Sequence, residues 1–404
     1  MFVFQKASAV RFSFPVVLFL AGGIASSFAQ LRTDNRLDQK FNSRSFSVGG
    51  ERGVSTKEGL DISFVTSLAY DSNILQTTDD EVSSLVGQFE PTIGWTAGER
   101  DKNWIRLAYE GTGILFFNST EDNRIDNRLI AEGGFKGKNL ALAYSGRWAR
   151  LGSPSADLGG ESDRDEWGVS ATVTYSPGGK LSYEAFGERS AVDQLASSGF
   201  DFFQSSGGVS ARYRYSSKTE VELAYRLGQV EVDGSGTQIF QQVGLRAEWS
   251  PRSKINVSIE AGVDIRDYEV GNGVEPYLSA RVDWRPRAKT ALFLEAYRRV
   301  EASAGVVGEN LNLTGVRFGV NQRLQGRWSA GLELGWENSD YFGIAGFAES
   351  GREDNILFVR PSLRYSLGDS SELVFLYQWS QNDSTEANFG FEGHRLGASL
   401  NYFF

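Results

Sequence analysis

Large apolar residues recur at every second position through most of the chain. The alternation is clear from Leu60 to Tyr70 and again from His394 to the final residue, Phe404. A period of two places successive side chains on opposite faces of a strand, whereas a helix requires a period near 3.6. Similar runs occupy 105–117, 221–227, 255–265 and 357–365. The pattern predicts an all-β chain whose strands have one apolar and one polar face.

Polar turn segments interrupt the alternation at regular intervals. They lie near 98–100, 136–138, 177–180, 216–218, 251–254, 286–289, 325–327 and 368–370. The gaps between them are mostly longer, as at 71–83, 150–166, 190–201 and 338–354. Short turns at one end and long loops at the other are typical of bacterial outer-membrane barrels. Eight turns separate nine hairpins and predict about 18 strands; 16 is the alternative, because 181–187 and 291–300 alternate poorly.

The length of the strands separates a membrane barrel from a soluble sheet protein. The alternating runs extend over about 10 to 15 residues, enough to cross a bilayer when tilted. Strands of a soluble β-sandwich or propeller, the competing fold, usually have about 5 or 6 residues. Six tryptophans share the apolar phase and are predicted to lie at strand ends, as interfacial girdles do: Trp95, Trp249, Trp284, Trp328, Trp336 and Trp379. We therefore predict a transmembrane antiparallel up-and-down β-barrel.

The N-terminal segment has the order of a secretory signal. Lys6 and Arg11 precede an apolar stretch at 12–24, and small residues follow up to Ala29. A membrane anchor helix is the alternative, but it needs about 20 apolar residues. We predict a signal peptide at 1–29, a flexible periplasmic segment at 30–57 and the barrel at 58–404.

Composition excludes several classes of function. The formal net charge of -10 argues against a nucleic-acid partner, which would require a basic surface. The chain has no cysteine, so disulfides, thiolate metal sites and cysteine nucleophiles are excluded. No Ca²⁺-loop spacing or phosphate-binding loop before a helix occurs, and we expect no cofactor and no metal.

Two short segments resemble those of known outer-membrane proteins. The strand that closes on 401–404 resembles the C-terminal signature recognised by the barrel-assembly machinery of Gram-negative bacteria. The segment 68–74 resembles the opening motif of the beta-barrel porin 2 family. The resemblance implies insertion in the outer membrane, with both chain termini periplasmic and with lipid and lipopolysaccharide as surroundings. It implies no particular substrate.

The polar face of the strands carries many charges. A charge on the lipid side of such a barrel costs roughly 2 to 4 kcal/mol at the midplane, so these residues are expected to face inward. Arginines outnumber acids among them, which suggests a porin-like diffusion channel with a mild preference for anionic or polar solutes. Alternatively, neighbouring arginines and acids neutralise each other and brace the wall. The predicted pore-lining residues are Arg106, Glu110, Arg147, Arg212, Arg214, Arg226, Arg246, Glu248, Glu260, Asp264, Arg281, Asp283, Arg317, Glu333, Arg360 and Arg364.

The loop after the fifth strand, at 151–166, is a candidate constriction. Its acids are Asp157, Glu161, Asp163 and Asp165, which would face the arginines of the lumen if the loop folds inward. The alternative is that the loop projects outside, among lipopolysaccharide and divalent cations.

Catalysis is not expected. Most enzymatic barrels use a histidine base, and the single histidine, His394, has the phase of the apolar face and no serine two residues on. The main prediction is a passive channel for small hydrophilic solutes. The alternative is a structural or accessory barrel associated with exopolysaccharide export or attachment. The oligomeric state is left open.

Overall fold

The structure is a computed structural model. It describes residues 58–79, 81–152, 154–155, 157, 160–195, 200–234, 236–268, 271–303, 305, 308–343 and 351–404. The predicted signal peptide at 1–29 and the predicted periplasmic segment at 30–57 lie outside the described residues. Both remain predictions.

Eighteen antiparallel strands form one closed sheet. They are β1 Gly59–Asp71, β2 Ser84–Gly98, β3 Asn103–Phe116, β4 Arg124–Lys136, β5 Leu140–Leu151, β6 Arg164–Gly178, β7 Leu181–Gln194, β8 Phe202–Ser216, β9 Thr219–Val232, β10 Gly236–Arg252, β11 Ile255–Asp267, β12 Asn272–Arg287, β13 Thr290–Ala302, β14 Glu309–Arg323, β15 Trp328–Gly343, β16 Glu353–Ser366, β17 Ser371–Ser384 and β18 Phe391–Phe403. The predicted all-β barrel of about 18 strands is confirmed. The two weakly alternating segments belong to β7 and β13, so the alternative of 16 strands is wrong.

Four short elements lie between barrel strands in the described part of the chain. Pro154–Ser155 pairs with Gly160–Glu161 in the loop after β5, and 3-10 turns occupy Thr120–Asp122 and Ala387–Phe389. Within the residues that the structure describes, no helix is long and apolar enough to cross a membrane.

The barrel closes where its first and last strands meet. β1 pairs with β18 from Ser63 opposite Phe403 to Asp71 opposite Arg395. The backbone N–H of Phe404 donates to the carbonyl of Ile62 at 2.9 Å, which extends the ladder. Closure leaves no strand edge for the lipid, where unpaired backbone groups would cost several kcal/mol each. The seam lies where the alternation predicts it.

The two ends of the barrel differ as the turn pattern predicts. All eight predicted short turns connect successive strands at one end, which we call the turn end. The opposite end, the loop end, carries the longer connections, including 72–83, 152–163 and 344–352. Two loop-end connections, 233–235 and 268–271, are also short.

The outer face is apolar along the predicted phase. Leu60 is 62% exposed, Leu245 59% and Leu396 61%, values that suit lipid contact rather than a soluble core. Trp95, Trp249, Trp284 and Trp328 lie near the turn end and form a girdle there. Trp379 lies nearer the loop end of β17, but Trp336 lies near the middle of β15. For Trp336 the predicted strand-end position is wrong, because turn spacing fixes strand limits only coarsely.

One hairpin leaves the cylindrical wall at the loop end. β12 pairs with β11 through Asn272, but its pairing with β13 stops at Leu278, which lies opposite Arg298. β13 and β14 nevertheless stay paired up to Ala302 and Asn310. The end of the β13–β14 hairpin therefore separates from β12 while it keeps its own ladder.

Burial shows that this hairpin end lies inside the barrel. All residues from Glu309 to Leu313 are buried, on both faces of the strand, whereas a strand in the wall exposes one face to lipid. Asn310 contacts Gln238 on the inner face of β10. Pro276 lies in the part of β12 that has no β13 partner, a position where a missing N–H donor is tolerated.

Candidate functional site

A belt of alternating charges crosses the inner wall from β12 to β16. Three of its contacts join residues directly opposite in the strand register, and the fourth, Arg317 to Glu333, is diagonal, because Arg317 lies opposite Gly335. The contacts are Arg281 to Glu295 at 3.2 Å, Glu295 to Arg317 at 3.9 Å, Arg317 to Glu333, and Glu333 to Arg360 at 3.4 Å. Four of its members are predicted pore-lining residues, and Glu295, which the sequence analysis did not include, joins Arg281 to Arg317. The belt therefore has two acids for three arginines.

The network continues toward the seam at the loop end. Arg360 Nε donates to Gln378 Oε1 on β17 at 3.0 Å. Gln378 lies opposite Arg395 of β18, whose Nε is 3.8 Å from Asp71 Oδ2 of β1. Polar side chains thus bridge the last and first strands on the inner side of the seam.

Most other predicted pore-lining arginines also have acidic partners. The pairs are Arg106 with Glu132 at 3.3 Å, Arg212 with Glu222 at 3.0 Å, Arg214 with Glu220 at 2.6 Å, Arg226 with Glu188, Arg246 with Glu248 at 2.7 Å and Arg364 with Glu372 at 3.3 Å. Among the predicted acids, Glu110 pairs with Arg128, Asp264 with Arg266 and Asp283 with Arg281. Paired charges favour a neutralised wall over a ring of fixed positive charge.

Two predicted residues are placed by the strand register. Glu260 lies on the inner face of β11, opposite Arg246 in the register, and Arg147 lies on the inner face of β5 opposite Gly168. The whole predicted set therefore shares the polar phase. Its role in lining a pore remains a prediction.

The lumen is filled at the loop end and open at the turn end. The side chains of Arg352 and Asp354, at the start of β16, are 0% and 2% exposed although they carry charge. Arg281 and Asp283, toward the turn end of β12, are each 45% exposed. We call these regions the filled half and the open half.

The loop after β5 crosses the lumen to the opposite wall. The Asp157 carboxylate accepts hydrogen bonds from Ser303 Oγ at 2.9 Å, from the N–H of Gly305 at 3.1 Å and from Tyr341 Oη at 3.0 Å. Arg352 Nη1 donates to the Asp157 backbone oxygen at 3.0 Å. These partners belong to the β13–β16 side, so one aspartate attaches the loop across the barrel.

The other acids of this loop have different positions. Asp165 lies on β6 in the outward phase, where Arg150 Nε and Nη2 donate to its carboxylate at 2.8 and 2.6 Å. Asp165 is therefore placed differently from the prediction, because β6 already begins at Arg164. Asp163 is exposed, and the side chain of Glu161 lies outside the described residues. Of the four predicted acids, Asp157 is the one with described contacts across the lumen.

An apolar cluster holds the loop end of the β13–β14 hairpin, which we call the inward hairpin, against the neighbouring wall. Ala302 at the end of β13 packs on inward-facing side chains of β7–β10: Val192, Phe202, Val230, Val232 and Phe240. On the other side of the hairpin, Leu311 and Leu313 pack against Tyr341 of β15. Sequence reasoning missed this feature, although Leu311 and Leu313 are out of phase with the outward Val316 and could have indicated it.

The loop after β1 adds a third inward segment. Ile74 packs with Val86, Ile114 and Phe116, all of which point into the barrel. Thr78 Oγ donates to the carbonyl of Ala387 at 2.7 Å, which links this loop to the one before β18. Three segments thus narrow the filled half. Among the described residues, no group of three or more side chains is arranged to hold a metal ion.

A family comparison agrees with this architecture. The family model described as "Putative beta-barrel porin 2" matches residues 264–403, from β11 to the end of β18. No curated protein matches the chain. The predicted resemblance to this family is confirmed for the matched part.

Solved structures show a more distant similarity. OpdK from Pseudomonas aeruginosa is 12% identical, with a TM-score of 0.48, over 85% of this chain and 99% of that one. OccK2 (OpdF) from the same organism, in complex with glucuronate, is 11% identical with a TM-score of 0.49, over 85% and 98%. OccAB4 from Acinetobacter baumannii is 11% identical with a TM-score of 0.47, over 87% and 100%. Similarity at this level does not extend the ligands of those proteins to this chain.

The fold and the family match agree on the location of the protein. The barrel is closed, its outer face is apolar, and the matched family is one of β-barrel porins. The predicted outer-membrane location is confirmed, and with it the lipid surroundings of the outer face.

Proposed function

We propose that the barrel is a passive channel for small hydrophilic solutes, wide at the turn end and narrowed in the filled half. The observation that carries this proposal is the attachment of the loop after β5 to the opposite wall through Asp157. A loop held across a hydrated lumen limits the size of solutes while the wall stays polar. The wall itself carries paired charges, so we expect weak ion selectivity.

The test removes the attachment of the loop and measures conductance. Asp157→Ala deletes acceptors for three donors, and we expect a larger single-channel conductance in planar bilayers and faster uptake of larger sugars in liposome swelling. Asp165→Ala is the matched control, because that carboxylate lies on β6, just after the same connection, and faces outward. Equal conductance of both variants and the wild type would exclude Asp157 as the narrowing residue.

The accessory-barrel alternative predicts a different outcome. A barrel without transport of its own would give neither conductance nor solute-dependent swelling, in the wild type or in Asp157→Ala. The family match, to β-barrel porins, does not favour this alternative.

An enzymatic role is not part of the proposal. His394 faces outward, where its Nδ1 lies 2.9 Å from Tyr377 Oη and its Nε2 lies 3.7 Å from Glu392 Oε1. We infer that this group is structural, so His394→Ala should leave any transport rate unchanged. Lipid or peptide turnover that disappears in His394→Ala would contradict this inference.

The C-terminal strand has a proposed partner of its own. We infer that the strand ending at Phe404 is the segment recognised by the barrel-assembly machinery. Phe404 is 73% exposed and packs edge-on against Tyr402, with ring centroids 4.5 Å apart. Phe404→Ala should lower the amount of folded barrel in the membrane more than Phe404→Tyr does. Equal assembly of both variants would contradict the inference.

A further inference from the structure

Two buried amide oxygens lie on one face of the inward hairpin. Asn310 and Asn312 on β14 are 0% and 7% exposed, and neither Oδ1 has a hydrogen-bond partner. Positions two apart on a strand share a face, so both oxygens belong to the same side of β14. A buried acceptor without a partner costs about 1 to 3 kcal/mol. Such a pair therefore points to a donor that belongs there.

The orientation of the Asn310 amide is fixed by its neighbours. Arg266, which can only donate, bonds to Gln238 Oε1 through Nη1 at 3.4 Å. Gln238 Oε1 must therefore accept from the Asn310 Nδ2 group, at 3.1 Å. A second contact joins Asn310 Nδ2 to Tyr268 Oη at 3.3 Å. The Oδ1 atom of Asn310 consequently points away from this chain of bonds.

The face that carries both amides lies against the inner wall of β10–β12. Val300, opposite Asn312 in the register, accepts through its carbonyl from Arg266 Nη2 at 3.0 Å. Farther along, Arg298 Nη1 donates to Thr314 Oγ1 at 3.1 Å, and Arg298 Nη2 lies 3.5 Å from Glu275 Oε2 of β12. We call the place between this face and β10–β12 the amide site.

Charge pairing at the amide site favours a neutral ligand. Arg266 is paired with Asp264 at 3.2 Å, and Arg298 with Glu275. The buried acceptors without a partner there are uncharged carboxamide oxygens, which suit hydroxyl donors. An ammonium group would lose its hydration shell without a free carboxylate to replace it.

We propose that the amide site binds hydroxyl groups of a neutral polyhydroxylated solute on its way through the lumen, with Asn312 as the main acceptor. The proposal deepens the proposed function, on which it rests, by naming the class of solute. Asn312 is the better residue to test, since Asn310 also donates to Gln238 and Tyr268.

The first experiment measures how sucrose reduces single-channel conductance. In the wild type we expect a saturable block beyond the effect of bulk viscosity. Asn312→Leu should raise the half-blocking concentration roughly tenfold, which corresponds to about 1.4 kcal/mol, within the range of one hydrogen bond. Asn312→Gln, which keeps an acceptor, should restore much of the block.

The control replaces an amide of the open half. Asn256 lies on the inner face of β11 near the turn end and is exposed, so Asn256→Leu should be blocked like the wild type. A wild type without saturable block, or an Asn312→Leu variant with the wild-type half-blocking concentration, would overturn the proposal. Block by ethanolamine but not by sucrose would overturn the choice of a neutral ligand.

A binding measurement separates this proposal from the channel itself. Equilibrium dialysis of labelled sucrose against the full-length protein in detergent requires no conduction. Retention of sucrose by the wild type and its loss in Asn312→Leu would support the amide site, whether or not the barrel conducts. A barrel that retains sucrose but does not conduct would contradict the proposed channel and leave the amide site supported. No retention by the wild type, with an ordered water on Asn312 in a crystal structure, would overturn the amide site.

Discussion

The filled half and the open half both carry charged side chains on the inner wall, but these side chains differ in their exposure to water. Both halves use arginine–carboxylate pairs, but Arg226 is 0% exposed beside Glu188, whereas Arg281 is 45% exposed beside Asp283. A buried pair depends on its partner for the charge to be tolerated, while an exposed pair is solvated by water in any case. An arginine–carboxylate pair is therefore needed for stability in the filled half, whereas in the open half it contributes little to stability.

The largest expected effect is the loss of a buried guanidinium or its partner. Glu188→Gln leaves Arg226 buried beside a neutral group, and removal of one member of a buried pair typically costs about 3 to 5 kcal/mol. Asp283→Asn, in the open half, should cost less than about 1 kcal/mol. Urea unfolding of the barrel in lipid vesicles measures both. Equal costs would show that the two halves are equally hydrated.

A smaller effect is expected from overpacking the inner wall. A Cβ atom at Gly244 of β10 would lie 1.8 Å from Tyr277 Oη, so Gly244→Ala must displace the ring from the wall. Overpacking of this kind costs about 1 to 3 kcal/mol, and the displaced ring should also lower conductance. Gly187→Ala is the control, since nothing lies within 4 Å of its added atom. An unchanged conductance would mean that Tyr277 turns without entering the passage.

The smallest effect concerns ion selectivity. Glu333 lies between Arg317 and Arg360 in the belt, so Glu333→Gln removes the acid shared by two arginines. The reversal potential in a KCl gradient should shift toward anion preference. The same change at Glu392, on the outer face, should leave the reversal potential unaltered. A shift of equal size at both positions would show that the belt does not line the passage.

The regular parts of the barrel follow from local pattern, and the filling of its lumen does not. Period-two alternation and the eight turns predict the number of strands, because both are local features of the sequence. The seam near Phe404 follows because the first and last strands must pair to close the sheet. The attachment of Asp157 to Tyr341 joins residues far apart in the chain, which no spacing rule encodes. Asp157 and Asp165 look alike in the sequence. Asp157 lies inside the barrel and Asp165 faces outward, because β6 begins between them, at Arg164.

The charged belt also has an evolutionary consequence. The three inner members, Glu295, Arg317 and Glu333, each touch oppositely charged residues on both neighbouring strands, so a reversal of charge at Glu295 would place it against both Arg281 and Arg317. A single reversal of charge in such a row brings like charges together, whereas reversal of every charge along the row keeps each contact between opposite charges. Among related sequences, these positions should therefore change as a group, and the row should remain recognisable after its individual residues have been exchanged.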